Sequence, residues 1–300
     1  MQEGHNSPVI TSLDELATAL SVPKSDLSYY ANNMGKHVRH VTKTKKDGKP
    51  RHIIAPSKKL TAILRQVKAV FFDDYVYPDY VFGLGGNTLK DHAAVHAGEN
   101  ELVQADLTDF FPSIGHTAVY DMWLTHFQLP HEVARILTML TTFDYRLQQG
   151  FATSSHIAAV VAMPLTRGLD THCQANGMSF SQYVDDLNFS GKTIDKQELF
   201  KQLISLARTN GLSVKKRKTG AFNAKTGKSI TGVSAHGSSL RATRNIRQRA
   251  ALTLKALGAR PDDKGLAKSA RGYQGYLAHI NNADGERYKA KVNKIVQKPQ

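Results

Sequence analysis

Two adjacent aspartates, Asp185 and Asp186, sit within Ser179-Phe180-Ser181-Gln182-Tyr183-Val184-Asp185-Asp186-Leu187-Asn188-Phe189-Ser190-Gly191, where aromatic and branched residues flank the acids on both sides. The pattern predicts a β-hairpin with the carboxylates at its tip. Paired carboxylates fixed by a strand on either side can hold a divalent cation through oxygen ligands. An isolated Asp-Asp is far more often an ordinary solvated turn, so the case for chemistry must come from elsewhere in the chain. A third acid, Asp106, ends the apolar run Leu102 to Ala105 and is followed by Leu107-Thr108-Asp109-Phe110-Phe111-Pro112. A carboxylate delivered at a strand end is held by the sheet yet open to solvent, and Pro112 is expected to stop the turn that follows.

Other residues with chemical potential surround these acids in the chain. Lys36, Arg39, Lys43, Lys45, Lys46, Lys49 and Arg51 crowd a predicted hairpin, Val38 to Thr42 and His52 to Ala55, that turns at Asp47-Gly48. A basic hairpin suits phosphate, and it is also an ordinary exposed ribbon. Leu147 to Ser155 is a polar, small-residue loop containing Gln149-Gly150 that feeds an Ala- and Val-rich helix, 157–163, before Pro164. His92 and His96 are spaced to share a helical face, but no third ligand follows at metal-site spacing, so packing and hydrogen bonding are the better reading. Val81 to Gly86 lacks the spacing of a phosphate loop and reads as a flexible connection.

Several elements must position these groups. Ser12-Leu13-Asp14-Glu15 predicts a capping box on a short amphipathic helix, and Leu60, Ile63, Leu64, Val67, Val70 and Phe71 predict a buried one. Residues 118–140 read as helices around a Leu129-Pro130 break. Gln197 to Thr209 predicts an amphipathic helix, Gly211 to Thr219 a strand entering four bases, and Ser229 to Val233 another short strand. Arg241 to Leu257 predicts a helix ending at Gly258, apolar along Ile246, Ala250, Leu254 and Leu257 and basic at Arg244, Arg247 and Lys255. Gly272 to Leu277 adds two tyrosines that could stack on bases or pack.

The charge distribution bounds the function class. Of 300 residues, the last hundred hold 22 Lys and Arg against 4 Asp and Glu, whereas the first two hundred hold 18 against 21. A polyanion gripped by a basic terminal lobe and presented to an acidic, metal-loaded centre would account for the split; a solvated basic surface is the plainer alternative. A single cysteine, Cys173, excludes an internal disulfide framework and a multi-cysteine zinc site. With no apolar run of membrane-span length and no signal-peptide pattern at the start, a cytoplasmic protein is expected.

The ordered set of basic hairpin, Asp106, Gln149-Gly150, Tyr183-Val184-Asp185-Asp186, Lys218 and basic lobe resembles the reverse transcriptases, from roughly Arg39 to the end. Tyr183 to Asp186 is similar to the family's Y-x-D-D box, Asp106 with Phe110-Phe111 to its first carboxylate motif, and Gly211-Leu212 through Lys218 to its lysine-bearing motif. The short length and the Asp106-to-Ser113 phrase look most like bacterial retron enzymes. His92-Ala93-Ala94-Val95-His96 and Ile230-Thr231-Gly232 stand where that group carries Asn-Ala-x-x-His and Val-Thr-Gly. Val184, Gln148 and His156 depart from usual residues, which leaves other defence-associated reverse transcriptases open as the subgroup.

The resemblance implies an α+β right-hand polymerase fold: an N-terminal helical extension over 1–35, fingers over 36–90, a palm with interleaved finger helices over 91–232 and a small helical basic thumb over 233–300. It implies RNA-directed DNA synthesis with two Mg²⁺ ions held by Asp106, Asp185, Asp186 and the Leu107 carbonyl. Arg51 and Lys45, helped by Lys46, would grip the triphosphate; Gln149 and Gly150 would position the nucleotide; Phe111 would exclude a 2′-hydroxyl; Lys218 would protonate pyrophosphate. Arg241, Arg244, Arg247 and Lys255 would track the nucleic-acid backbone. Expected partners are a structured non-coding RNA primed from a 2′-hydroxyl, its cDNA, deoxynucleotides and a separate effector protein of an anti-phage system, with no membrane and no RNase H region. An RNA polymerase and a silent RNA-binding scaffold are the competing classes; Phe111 counts against the first and the retained acids against the second.

Overall fold

A computed structural model describes residues 8–44, 48, 50–215, 220–223, 229–235 and 239–296 of the chain. Helix α1 (Leu13–Leu20) is capped by Ser12, whose hydroxyl accepts from the Glu15 amide. The Glu15 carboxylate accepts mainly from the Thr11 amide and hydroxyl, with a weaker contribution from the Ser12 backbone that the expected box requires. A second helix, α2 (Lys24–Asn32), follows and buries Leu27, Tyr30 and Ala31. Strands β1 (Val38–Thr44) and β2 (Pro50–Pro56) form the expected antiparallel hairpin, paired from Val38↔Pro56 to Thr44↔Pro50. Helix α3 (Lys58–Phe72) buries Leu60, Ile63, Leu64, Val67, Phe71 and Phe72.

Strand β3 (Val81–Phe82) replaces the flexible connection expected over Val81 to Gly86: both residues are buried, and they pair with Gln182 and Tyr183. Gly83 makes this approach possible, since a Cβ there would lie 2.9 Å from Cε2 of the Tyr183 ring. After α4 (Leu89–Ala94), strand β4 (Glu101–Asp106) runs into α5 (Phe110–Ser113). Pro112 therefore lies inside a single helical turn and does not stop it, because a first-turn residue needs no N–H partner.

Helix α6 (His116–Asp121) continues through a π-helical turn, Met122–His126, before the Leu129-Pro130 break and α7 (His131–Thr141). Strands β5 (Thr142–Phe143) and β6 (Arg146–Leu147) form a small hairpin, and α8 (Ser154–Val161) and α9 (Met163–Ala175) pack beneath. Strands β7 (Ser179–Tyr183) and β8 (Asp186–Gly191) and helix α10 (Lys196–Thr209) match expectation. Strand β9 (Gly220–Asn223) completes a five-stranded sheet of order β3-β7-β8-β4-β9, antiparallel except for β3 with β7.

Three expectations near the C-terminus change. Gly211 to Lys215 forms one bridge, Val214 to Leu107, instead of a strand, and 216–219 lie outside the described residues. Ser229 to Val233 is not one strand but β10 (Ser229–Ile230) and β11 (Val233–Ser234), turned at Thr231 and Gly232, both at positive φ. Arg241 belongs to β12 (Arg241–Ala242), which pairs with β11, so the helix α11 (Arg244–Ala259) starts three residues later than its apolar spacing suggests and runs one past Gly258. Helices α12 (Lys264–Ile280) and α13 (Asn282–Val296) complete a distal trio with its own core of Ala250, Leu257, Ala270, Leu277, Tyr288 and Val292. No helix among the described residues is long and apolar enough to cross a membrane.

The two histidines of α4 and its flank are structural, as their spacing suggested. His92 Nε2 and His96 Nε2 both meet the Ser181 hydroxyl, at 2.8 and 2.7 Å, and His96 Nδ1 meets Ser190 at 2.7 Å. His92 also stacks between Phe82 and Tyr183, and its Nδ1 lies 3.3 Å from the Thr231 hydroxyl. Burial holds the His92 imidazole down at about 4, and burial with nearby Lys68 does the same for His156, which bonds the Tyr77 hydroxyl at 2.8 Å. Both folded values lie below the unfolded value near 6.5, so the stability they carry is complete above pH 6.5 and is lost as pH falls towards 4. At pH 5 each should cost about 2 kcal/mol. Urea midpoints followed from pH 7.5 to 4.5 are expected to fall accordingly, with about half of the slope removed in His156→Gln.

Candidate active site

The tip of the β7–β8 hairpin is a two-residue connection, Val184-Asp185, closed by the Tyr183↔Asp186 pair. Asp186 is in turn the cross-strand neighbour of Asp106 on β4. The Leu107 amide donates to the Asp185 carbonyl at 3.0 Å and so fastens the tip to the end of β4. Val184 has φ +58°, a left-handed backbone that costs a β-branched residue about 1–2 kcal/mol. Its carbonyl accepts from the buried Gln182 amide at 3.0 Å, one contact that offsets the strain.

One carboxylate oxygen from each of Asp106, Asp185 and Asp186 falls within 4.8 Å of the others, with Asp106 buried, Asp185 half-buried and Asp186 exposed. At that spacing each pair of like charges repels by about 3 kcal/mol at an effective dielectric near 20. An all-oxygen donor set suits a hard divalent cation such as Mg²⁺, whose octahedral shell spans about 4 Å between opposite ligands, close to the spacing seen. Lys215 touches the same cluster, its ammonium 2.7 Å from Asp106 Oδ2.

A cleft of about 320 Å³ opens beside the acids. Asp185 and Lys215, Pro50 to His52 of β2, Asp109 to Pro112, and Gln148 with Gln149 line it. Phe111 is half-buried on the one-turn helix α5, while Phe110 points into the core. The Gln149 carbonyl accepts from the Ile54 amide at 3.3 Å, which joins the basic hairpin to the loop. Gly150 has φ +121°, and a Cβ there would lie 2.7 Å from the Ile54 carbonyl oxygen and 2.8 Å from Ile53 Cγ2. Gly150→Ala must push the hairpin off the loop, at a cost of about 2–4 kcal/mol. A melting point lowered by several degrees is expected, read by thermal melts.

The structure thus gathers Asp106, Asp185, Asp186, Leu107, Arg51, Phe111, Gln149 and Gly150 in one place. Lys45, Lys46 and Lys218 lie outside the described residues. Arg244, Arg247 and Lys255 are exposed on α11 and are not among the residues lining the cleft. Arg241 is instead paired through two hydrogen bonds with Asp284, at 3.0 and 2.8 Å, which ties β12 to α13. Sequence reading assigned no role to Lys215, His52 or Asp109. Lys215 stood in a visible basic cluster, and only its approach to Asp106 across the fold distinguishes it from its neighbours.

A family profile described as "Reverse transcriptase (RNA-dependent DNA polymerase)" matches residues 43–258. The chain is similar to the retron Se72 reverse transcriptase of Salmonella heidelberg (strain 579083-10), 26% identical over 220 residues, covering 71% of this chain and 58% of that protein. It is likewise similar to the retron Ec86 reverse transcriptase of Escherichia coli, 25% identical over 232 residues, covering 75% of this chain and 72% of that one. Among solved structures, a foamy viral protease-reverse transcriptase in complex with double-stranded DNA aligns over 99% of this chain and 50% of its own, with a TM-score of 0.50 and 13% identity, a likeness of fold.

Proposed function

The chain belongs to the reverse transcriptase (RNA-dependent DNA polymerase) family, and from that premise we propose that it is a retron-type enzyme that copies a specific structured RNA into DNA. The observation that carries the reading is the convergence of Asp106, Asp185 and Asp186 within 4.8 Å beside a cleft bordered by Arg51, Phe111 and Gln149. The proposed right-hand division is extension 1–35, fingers 36–90, palm 91–232 with interleaved finger helices, and basic thumb 233–300.

Two Mg²⁺ ions, when bound, supply charge neutralisation for the triphosphate and acidify the primer 3′-hydroxyl. Asp106 and Asp185 would hold them with the Leu107 carbonyl, and the more exposed Asp186 would support the pair. Arg51 and Lys45 grip the β- and γ-phosphates by charge-assisted hydrogen bonds. Gln149 orients the incoming nucleotide, Gly150 keeps that loop against the fingers hairpin, and Phe111 lies under the sugar. Lys218 hands a proton to the leaving pyrophosphate. Arg244, Arg247 and Lys255 follow the duplex backbone, and Arg241 shares its charge between that surface and Asp284. The proposed setting is cytoplasmic, with an RNA primed from its own 2′-hydroxyl and a separate effector protein in anti-phage defence.

Purified protein given an RNA template, a primer and Mg²⁺ should extend the primer with deoxynucleotides and hardly at all with ribonucleotides. Nucleic acid copurified from expressing cells and sequenced should contain a covalent RNA–DNA product. Failure to extend under any priming condition would favour a scaffold.

A further inference from the structure

Lys215 is attached to Asp106 twice. Its backbone amide donates to the Asp106 carbonyl at 2.8 Å, and its ammonium donates to Asp106 Oδ2 at 2.7 Å. The neighbouring Val214 bridges Leu107, and the Thr108 amide donates to the Ser213 carbonyl, so this segment is stitched along the end of β4. The Asp106 side chain is only 4% exposed and the Lys215 side chain 37%. A positive charge therefore sits on the most enclosed member of a cluster of three acids, where uncompensated charge is least tolerable. Lys215 also lines the cleft, as Arg51 does. Lysine is a compact point charge on a flexible stem, so it can leave one oxygen partner for another, which a forked guanidinium does less readily.

We propose that Lys215 is a resident counter-cation of the carboxylate cluster: it holds Asp106 before divalent metal loads, yields that carboxylate to the metal, and then turns into the cleft towards the nucleotide's phosphates. The ion pair stabilises the metal-free site and at the same time lowers metal affinity, since metal must displace it. This rests on the reading of the three acids as a metal site. It adds a residue that couples metal loading to phosphate binding.

The test is a titration with Mn²⁺, a spectroscopically visible stand-in for Mg²⁺, followed by the free-ion electron paramagnetic resonance signal without nucleotide or nucleic acid. Lys215→Gln should bind Mn²⁺ roughly tenfold more tightly than the parent, and Lys215→Arg, whose guanidinium leaves the carboxylate less readily, should bind it no more tightly than the parent. In EDTA the Gln variant should melt below the parent, and saturating Mn²⁺ should close that gap. Equal Mn²⁺ affinity in Lys215→Gln and parent, or a melting gap unchanged by metal, would overturn the counter-cation role and leave the metal site standing. No Mn²⁺ binding by the parent would overturn the metal site and this inference with it.

Discussion

Asp185→Asn should abolish templated nucleotide addition and at the same time leave a protein that, in EDTA, melts slightly above its parent. The loss follows from the proposed role: a charged ligand contributes several kcal/mol of transition-state stabilisation, so a rate reduction of at least about 10³-fold is expected. The gain follows from geometry. Removing one of three carboxylates clustered within 4.8 Å relieves its repulsion with the other two. Asp185 is half-buried, so solvent screens much of that relief and a rise of about 1–3 °C is reasonable. A substitution that merely damaged the fold would lower both quantities. Asp106→Asn should behave differently, because it also dissolves the ion pair with Lys215, and its melting point should fall. Single-turnover primer extension and melts in EDTA separate these outcomes.

Phe111→Ala should transfer the enzyme's sugar preference without destroying its activity. Phe111 sits half-buried on a one-turn helix, with its ring centroid 5.7 Å from that of Phe110 and one side turned to the cleft. On the proposed placement of Phe111 under the sugar, removing the ring opens space where a 2′-hydroxyl would otherwise clash. The ratio of kcat/KM for a deoxynucleotide over its ribonucleotide should fall about 10- to 100-fold, mainly through faster ribonucleotide use. Deoxynucleotide efficiency should drop less than about tenfold, since Asp106, Asp185 and Gln149 are untouched. Because the ring is only half-buried, stability should fall by about 1–2 kcal/mol, below the range for a fully buried Phe→Ala. An unchanged ratio would assign sugar discrimination elsewhere in the cleft.

What the sequence made legible was local. The hairpin around Asp185 and Asp186 is written in its flanking aromatic and branched residues, and α3 and α10 are written in their apolar spacing. Asp106 was legible because a strand-like run ends on it. The misreadings share a cause, since each depended on a partner distant in sequence. Val81 and Phe82 form a strand only because β7 lies beside them and Gly83 admits the Tyr183 ring. Arg241 looks helical until β11 recruits it. The turn at Thr231-Gly232 puts a threonine at φ +47°, which no turn preference suggests; one contact to Thr231 comes from His92, far earlier in the chain. Helix α2 escaped notice because Lys-Ser-Asp-Leu-Ser-Tyr-Tyr-Ala-Asn has too few apolar residues to show a period. For Lys215 the bases beside it carry the same charge, and only tertiary structure singles out the one on Asp106.

The distal helices α11, α12 and α13 enclose their own core and meet the rest through a small cluster that includes Leu102, Ile230, Val233 and Ile280, with the Tyr276 hydroxyl on the Gly232 carbonyl at 3.3 Å. A chain built on two cores joined by so narrow a seam need not lose both together. Heat absorption should then resolve into two cooperative events. The one belonging to the central sheet would respond to pH between 7.5 and 4.5, to metal and to changes at Asp185, and the one belonging to the helical trio would be nearly indifferent to all three over that range. Nucleic acid spanning both would merge them, so a change from two events to one would register bound nucleic acid without any chemistry taking place.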